Sequence, residues 1–165
     1  MSSACVQKHN DKDKLLKLID EFSAITSIEE LACIVYITIQ MHRGRFSYEC
    51  EDFEDFSPIG PISRKLFEDV FHLEVREKLI ARGSRMMLTS KGKERISLLG
   101  EEISFSDVKE LLSSLDKDLW PKLVAYFYLR HKYSAKEAMR ILKRSYDVDN
   151  RSQEILSELV KKLAP

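Results

Sequence analysis

An amphipathic helix followed by a tight hairpin and a second capped helix is the pattern that most constrains the fold of this chain. Apolar residues recur at helical spacing from Leu66 to Val75. Two short apolar runs then flank the segment 82–85, whose glycine predicts a turn between two β-strands. Ser63, Thr89 and Ser134 are suited to cap the helices that follow them, and the helix after Thr89 runs to about Leu98. This order of elements predicts a winged-helix-like fold, mainly α with a small β-hairpin.

The rest of the pattern is mostly helical. Apolar spacing predicts a helix over 11–24. A second helix begins after Ser27, which we expect to cap it with Glu30 as its capping-box partner, and ends near Gly44. Its β-branched residues are also compatible with a strand, but the cap and the glycine favour a helix. Residues 45–56 are expected to form a short edge strand or an ordered loop, and Pro58 and Pro61 with Gly60 exclude a regular helix in the segment that follows.

The chain therefore divides into three predicted parts. Residues 1–11 are polar and are expected to be disordered. Residues 12–99 form the winged-helix-like domain, and a break at Gly100 separates it from a helical C-terminal region over 104–165. The C-terminal helices carry apolar stripes that need a partner surface, which is either the first domain or a second copy of the chain.

The composition limits how the chain can bind nucleic acid. The 165 residues include 27 Lys and Arg against 27 Asp and Glu, so the formal net charge is zero. This balance argues against binding through global charge, although a local basic patch is compatible with it. Hydrophobic residues make up 44%, which is enough to bury a core. The scarcity of Asn and Gln beside abundant Lys, Arg and Glu is typical of thermophile proteins.

The cysteines and the apolar runs indicate where the chain works. Cys5, Cys33 and Cys50 lie far apart and form no C-x-x-C pair, which favours free thiols in a reducing compartment over disulfides or a zinc site. The first residues lack the apolar core of a signal peptide. The longest apolar run, 31–39, is about half the length needed to cross a bilayer. We therefore expect a cytoplasmic protein that does not bind membranes.

Three short motifs occur in a fixed order: FSPIGPIS at 56–63, KLI at 78–80 and LTSKG at 88–92. They resemble the YwgA-like proteins of bacteria and archaea and the related Panacea antitoxin domains. In those proteins a Y-G-P-Y-S box, an amphipathic helix ending in G-L-I and an L-T-x-x-G box follow a buried helix. The chain matches this pattern at Gly60, Pro61, Ser63, Thr89 and Gly92, and it departs from it at Ile59, Ile62 and Lys78. The resemblance covers about residues 28–98 and implies a winged-helix-like fold.

Basic residues cluster around the predicted hairpin and provide the candidate nucleic-acid site. A hairpin tip that carries arginines can enter a minor groove or contact phosphates, and the neighbouring helix starts add further cations. The candidate nucleic-acid-binding residues are Arg64, Lys65, Arg82, Arg85, Lys91 and Lys93. An ordinary solvated surface explains the same cluster. The amphipathic helix also carries Glu68, Asp69, Glu74 and Glu77, which phosphates repel. These acids disfavour insertion into the major groove and favour backbone binding or protein docking.

No motif predicts catalysis, a metal site or a cofactor. The acidic stretch 49–55 lacks the spacing of an EF-hand and is better explained as a solvated edge or as a surface for a basic partner. The histidines His9, His42, His72 and His131 are scattered, and no pair has metal-ligand spacing on a helix. Serines near the proline box have no neighbouring histidine to activate them. The chain is therefore not expected to be an enzyme.

Two roles fit these observations. The leading one is a non-enzymatic DNA-binding or transcription-regulatory protein that binds double-stranded DNA. The alternative is a protein–protein interaction adaptor or antitoxin-like module that uses the same hairpin and the acidic edge, and a homodimer is a further partner hypothesis. The charge pattern of the hairpin face discriminates between the two roles. A continuous basic strip would favour DNA, whereas interleaved acids would favour protein.

Overall fold

The computed structural model describes residues 10–49, 52–55, 61–100 and 103–163. Of the segment 1–11 that was predicted to be disordered, residues 1–9 lie outside the described residues, whereas Asn10 caps the first helix, which begins at Asp11. The described chain has eight α-helices and two small antiparallel sheets. In chain order the elements are α1 Asp11–Phe22, α2 Ile28–Met41, β1 Phe53–Asp55, β2 Pro61–Ser63, α3 Arg64–Phe71 with a π-helical continuation His72–Arg76, β3 Ile80–Arg82, β4 Met86–Leu88, α4 Ser90–Ser97, α5 Ser106–Ser113, α6 Leu119–Arg130, α7 Ala135–Ser145 and α8 Asn150–Leu163.

Side-chain caps begin the helices where the sequence predicts them. The hydroxyl of Ser27 accepts a hydrogen bond from Glu30 N (3.1 Å), and the hydroxyl of Ser63 accepts one from Leu66 N (3.3 Å). Thr89 caps α4 in the same way. Each cap satisfies a backbone N–H that the first helical turn leaves without a partner.

The capping box predicted for α2 is shifted by one residue. The carboxylate of Glu30 accepts hydrogen bonds from the backbone N–H (2.9 Å) and the hydroxyl (2.7 Å) of Thr26, the residue before the cap. Lys117 also contacts this carboxylate, at 3.3 Å. Glu30 therefore fixes the chain before the helix and links it to the C-terminal region.

The central helix α2 is buried along its length. Every residue from 31 to 39 is buried, and α2 packs against α5, α6 and β2. A helix that is apolar on all faces needs neighbours on all sides. The C-terminal helices supply several of them, because α5 and α6 contact α2 directly and α7 and α8 pack on α6. Core residues from the predicted domain 12–99 and from the C-terminal region 104–165 thus belong to one hydrophobic cluster.

The second sheet is the predicted hairpin. β3 and β4 pair with Ile80 opposite Leu88 and Arg82 opposite Met86. Met86 N donates to Ile25 O (2.7 Å), which ties the hairpin to the loop after α1. The model confirms a mainly helical chain with a small hairpin, and the winged-helix assignment itself stays a prediction.

The first sheet begins in the segment 45–56, for which both a strand and a loop were compatible with the sequence. β1 supplies the strand, and it pairs antiparallel with β2 so that Phe53 lies opposite Ser63. The strand at Pro61–Ser63 was not predicted. It ends at the residue that caps α3, so the sheet sets the direction in which that helix begins.

Candidate interaction surface on the third helix

The two arginines of the hairpin turn contact the protein's own chain. Arg82 Nε lies 3.0 Å from Glu74 Oε2 in the π-helical turn. Arg85 Nη1 donates to the backbone carbonyl of Ser23 (2.9 Å) after α1. Both residues are exposed, as predicted, but each also holds the hairpin against a neighbouring element. Their guanidinium groups would have to exchange or share these partners to contact a phosphate.

The other four candidate residues divide by their contacts. Lys65 Nζ lies 3.2 Å from Asp52 Oδ1. A hydrogen bond from Glu49 N and the contact with Lys65 lower the pKa of the Asp52 carboxyl. Arg64, Lys91 and Lys93 are exposed, and their side chains have no hydrogen bond or ion pair with the described part of the chain. The model therefore leaves three of the six predicted cations available to a ligand.

Acids alternate with bases along the hairpin side of the molecule. Lys12 Nζ in α1 lies 3.5 Å from Glu77 Oε2. Arg95 Nε in α4 lies 3.1 Å from Asp13 Oδ1, and the Asp13 side chain is nearly buried. Together with the Arg82–Glu74 pair, these contacts place carboxylates between the cations. The basic residues between 76 and 95 thus alternate with acidic residues on this surface and do not form a continuous basic strip.

An apolar stripe lies exposed along α3 and its continuation. Phe67, Phe71 and Val75 follow one another at four-residue intervals, and their exposed fractions are 38%, 50% and 50%. We call these three residues the α3 stripe. The opposite side of the helix carries Leu66 and Val70, which are fully buried in the core. Phe71 and Val75 belong to the apolar spacing predicted for this helix, but they lie in the exposed stripe and not on the buried face.

The π-helical turn shapes the end of the α3 stripe. Glu77 N donates to His72 O (2.8 Å), five residues earlier, so the helix is wider here than an α-helix. In an α-helix a row of residues four apart drifts steadily around the axis, because four residues exceed one turn. A wider turn reduces that drift, which keeps Val75 in line with the two phenylalanines.

A row of polar residues runs beside the α3 stripe. Glu68, His72 and Arg76 are again four residues apart, and with Phe67 and Phe71 they line a shallow groove of about 450 Å³. Glu68 and Arg76 are exposed, and neither has an ion pair within the described residues. This groove was missed from the sequence, although the Phe67–Phe71–Val75 spacing gave a signal for a second apolar face.

A larger cleft lies where α2 and α6 end. It has a volume of about 950 Å³, and its lining includes Arg43, His131 and Lys132. Gln40 Nε2 lies 3.2 Å from His131 Nε2, and the Lys132 ammonium lies 5.1 Å from the centre of the Tyr128 ring. Cations are favoured at helix C-termini because the carbonyl ends carry partial negative charge. Arg43 and Lys132 therefore lie at helix ends where a positive charge is favoured.

Several titratable side chains of the described residues make contacts within the fold. Within the described ranges, no group of three His, Cys, Asp or Glu residues is placed to hold a metal ion. Of the four histidines in the sequence, His42 pairs with Asp107, and His72 lies beside the α3 stripe. The hydroxyl of Tyr48 donates to Asp69 at one side of the cleft, and burial, followed by this hydrogen bond, raises the pKa of the phenol. Tyr48 is thus a poor acid. No described helix is long and apolar enough to span a membrane.

Cys33 is expected to be unreactive in the folded protein. It lies inside α2, and burial, followed by the nearby carboxylates of Glu30 and Glu29, raises the pKa of its thiol to about 12. In a variant with Cys5→Ser and Cys50→Ser, we expect labelling by a thiol reagent at neutral pH to require unfolding. Labelling should then be slower than for the same variant in denaturant by about a thousandfold or more. Native labelling at the rate of a free thiol would contradict this burial.

Comparison with known proteins adds no assignment. No family model matches the chain, and no match was found among the curated proteins or the solved structures that were searched. The resemblance to YwgA-like and Panacea proteins stays a prediction. We therefore infer the function from the surface residues that the structure describes.

Proposed function

We propose that the chain is a non-enzymatic protein-interaction module and that the α3 stripe is its contact surface. The observation that supports this proposal is the exposure of Phe67, Phe71 and Val75 on a helix that begins at a well-formed cap. Two half-exposed aromatic rings in one row are costly to leave in water, because apolar surface contributes about 25 cal/mol per Å² when it is buried. Aromatic side chains of this kind are enriched at the centres of protein interfaces.

The proposed partner element is an amphipathic helix. The groove beside the α3 stripe is shallow and elongated along the helix axis, as its lining residues at i, i+1, i+4 and i+5 indicate. Such a groove suits a second helix that lies along it and inserts side chains three and four residues apart. Glu68 and Arg76 at its two ends would select a partner helix with the opposite order of charges.

The charge pattern supports protein docking over DNA binding. Carboxylates contact Arg82, Lys12 and Arg95, so much of the positive charge near the hairpin is neutralised within the chain. DNA affinity depends on cations that release counterions from phosphates, and a neutralised cation contributes little to this release. Insertion of α3 into a major groove would also bring Glu68 and the α3 stripe against the phosphate-lined duplex.

A second candidate function is backbone binding to double-stranded DNA, the role predicted first. The observation that favours it is the exposure of Arg64, Lys91 and Lys93, which have no ion pair with the described residues. These cations lie at the starts of α3 and α4, where backbone N–H groups also attract phosphates. This role needs neither the α3 stripe nor the two hairpin arginines.

Photocrosslinking from the α3 stripe tests the proposed function. A photoreactive phenylalanine analogue at position 71 should give a discrete protein adduct in native cell extract. The substitution Phe67→Ser should suppress this adduct, because it removes a neighbouring contact of the same surface. The matched control carries the analogue at Leu98, which is 79% exposed and lies outside the stripe, and it should give no such adduct.

Titration with duplex DNA in parallel discriminates between the two candidates. On the proposed function, the wild type should not saturate at roughly 10 µM protein even at low salt. Saturable DNA binding that falls steeply with salt, and that is lost when Arg64, Lys91 and Lys93 are replaced by alanine, would favour the DNA role. That result together with no adduct from position 71 would overturn the protein-interaction proposal.

A further inference from the structure

We infer that the partner helix is α3 of a second copy of this chain, packed antiparallel across a two-fold axis near His72. This inference rests on the proposed function, because it names the partner of the same surface. Its basis is that both rows of the surface, the α3 stripe and the row Glu68, His72 and Arg76, are self-complementary under that symmetry. A two-fold interface must be self-complementary, since the same patch appears on both sides.

The row Glu68, His72 and Arg76 has opposite charges at its two ends. Glu68 lies four residues before His72 and Arg76 lies four residues after it, on the same row of the helix. When two copies pack antiparallel about His72, Glu68 of each copy faces Arg76 of the second copy. Two ion pairs of opposite charge form at the two ends of the interface. Parallel packing would instead place each charge opposite its equivalent and would be repulsive.

The spacing of the α3 stripe allows the two copies to interdigitate. Relative to His72, the side chains of Phe67, Phe71 and Val75 lie five residues before, one residue before and three residues after the centre. In the antiparallel copy the same residues lie at the mirrored positions. The six side chains therefore alternate between the copies at regular two-residue steps, so that Phe71 and Val75 of each copy fit between two side chains of the other copy and Phe67 lies at each end. This alternation is the ridge-into-groove arrangement that packed helices adopt.

The expected association is reversible. The surface is one short helix with three apolar residues per copy, which is small compared with the roughly 1,200 Å² or more that stable interfaces bury. We therefore expect a monomer–dimer equilibrium that depends on concentration. The C-terminal helices α5 and α6 are packed on α2 of their own chain, so they are not needed as a dimerisation arm.

Sedimentation equilibrium of charge-reversed variants tests the inference. We expect the wild type to dimerise with rising concentration, and Glu68→Arg or Arg76→Glu alone to weaken dimerisation about tenfold or more, because like charges then meet twice. The double variant Glu68→Arg with Arg76→Glu should restore dimerisation towards the wild-type level. Circular dichroism should show that all three variants remain folded, because both positions are exposed.

A matched control uses a charge pair away from the surface. Arg140 and Glu137 form an exposed pair within α7, and the reversals Glu137→Arg and Arg140→Glu should leave dimerisation unchanged. A wild type that is monomeric at all concentrations, a double variant that fails to recover, or an effect of the α7 variants equal to that of the α3 variants would overturn the inference. An adduct from position 71 to a different polypeptide would also overturn it, but it would leave the proposed function intact.

Discussion

Replacing Gly92 with alanine is expected to destabilise the protein by about 3 kcal/mol, through a steric clash that its helical position does not suggest. A Cβ atom at Gly92 would lie 2.1 Å from the backbone oxygen of Leu79 and 3.3 Å from the Cβ atom of Leu88. The oxygen of Leu79 also accepts a hydrogen bond from Thr89 N (3.0 Å), so it is held in place. The hairpin and α4 would have to separate to admit the methyl group.

Thermal or urea unfolding measures this effect, and the sign of the change makes the test sharp. Helix propensity alone favours alanine over glycine by about 1 kcal/mol, so a substitution without a clash would stabilise the protein. The matched control is Gly83→Ala at the hairpin turn, where no atom lies within 4 Å of the added Cβ. We expect that control to change stability by less than about 0.5 kcal/mol. A Gly92→Ala variant as stable as the control would disprove the close approach.

Replacing Phe105 with alanine is expected to cost about 3–5 kcal/mol, because the ring joins the two predicted parts of the chain. Phe105 is fully buried and stacks on Phe46 with 5.9 Å between ring centres. The Arg45 guanidinium lies 5.6 Å from the ring centre, and Phe105 N donates to Glu21 Oε2 (2.8 Å). Alanine would leave a cavity between α1, the segment after α2 and the start of α5.

The unfolding transition reports whether the two parts are coupled. We expect Trp120 fluorescence, which probes the C-terminal helices, and circular dichroism, which probes the whole chain, to change together in the wild type. Phe105→Ala should shift both transitions, whereas Leu98→Ala at an exposed position should shift neither. Two separate transitions in the wild type would show that the C-terminal region folds independently, as the predicted boundary at residues 99–104 allows.

Four of the helix starts were predictable because they depend on neighbouring residues, whereas α5 begins after Phe105 without the serine cap that the sequence suggests. A cap needs only a hydroxyl or carboxylate and the backbone N–H three residues later, and Ser27, Ser63, Thr89 and Ser134 all make this contact. The hairpin was predictable for a related reason, since a short turn with glycine leaves its flanking strands few alternatives. The capping box at Glu30 differed, since the carboxylate accepts from Thr26 and also contacts Lys117, a residue distant in sequence.

The candidate site was less predictable because it depends on which helix faces are covered. Periodicity places Leu66 and Val70 on one face of α3 and Phe67 and Phe71 on another, and both faces are apolar. The local sequence pattern does not show which of these two faces packs against the core. Likewise, the cluster of positive charge near the hairpin was visible in the sequence, but the partners of Arg82 and Arg85 come from elements before it.

By itself the sequence determined the helical character of the chain, its caps and its hairpin, because these follow from interactions between residues a few positions apart. Tertiary structure decided that α2 is surrounded by helices from both parts of the chain, that Gly92 has no room for a side chain, and that the α3 stripe remains in solvent. These properties depend on packing between segments that are distant in the sequence. Two faces of a helix can have the same local apolar pattern, and the buried area and the ion pairs formed in the folded chain determine which face is covered.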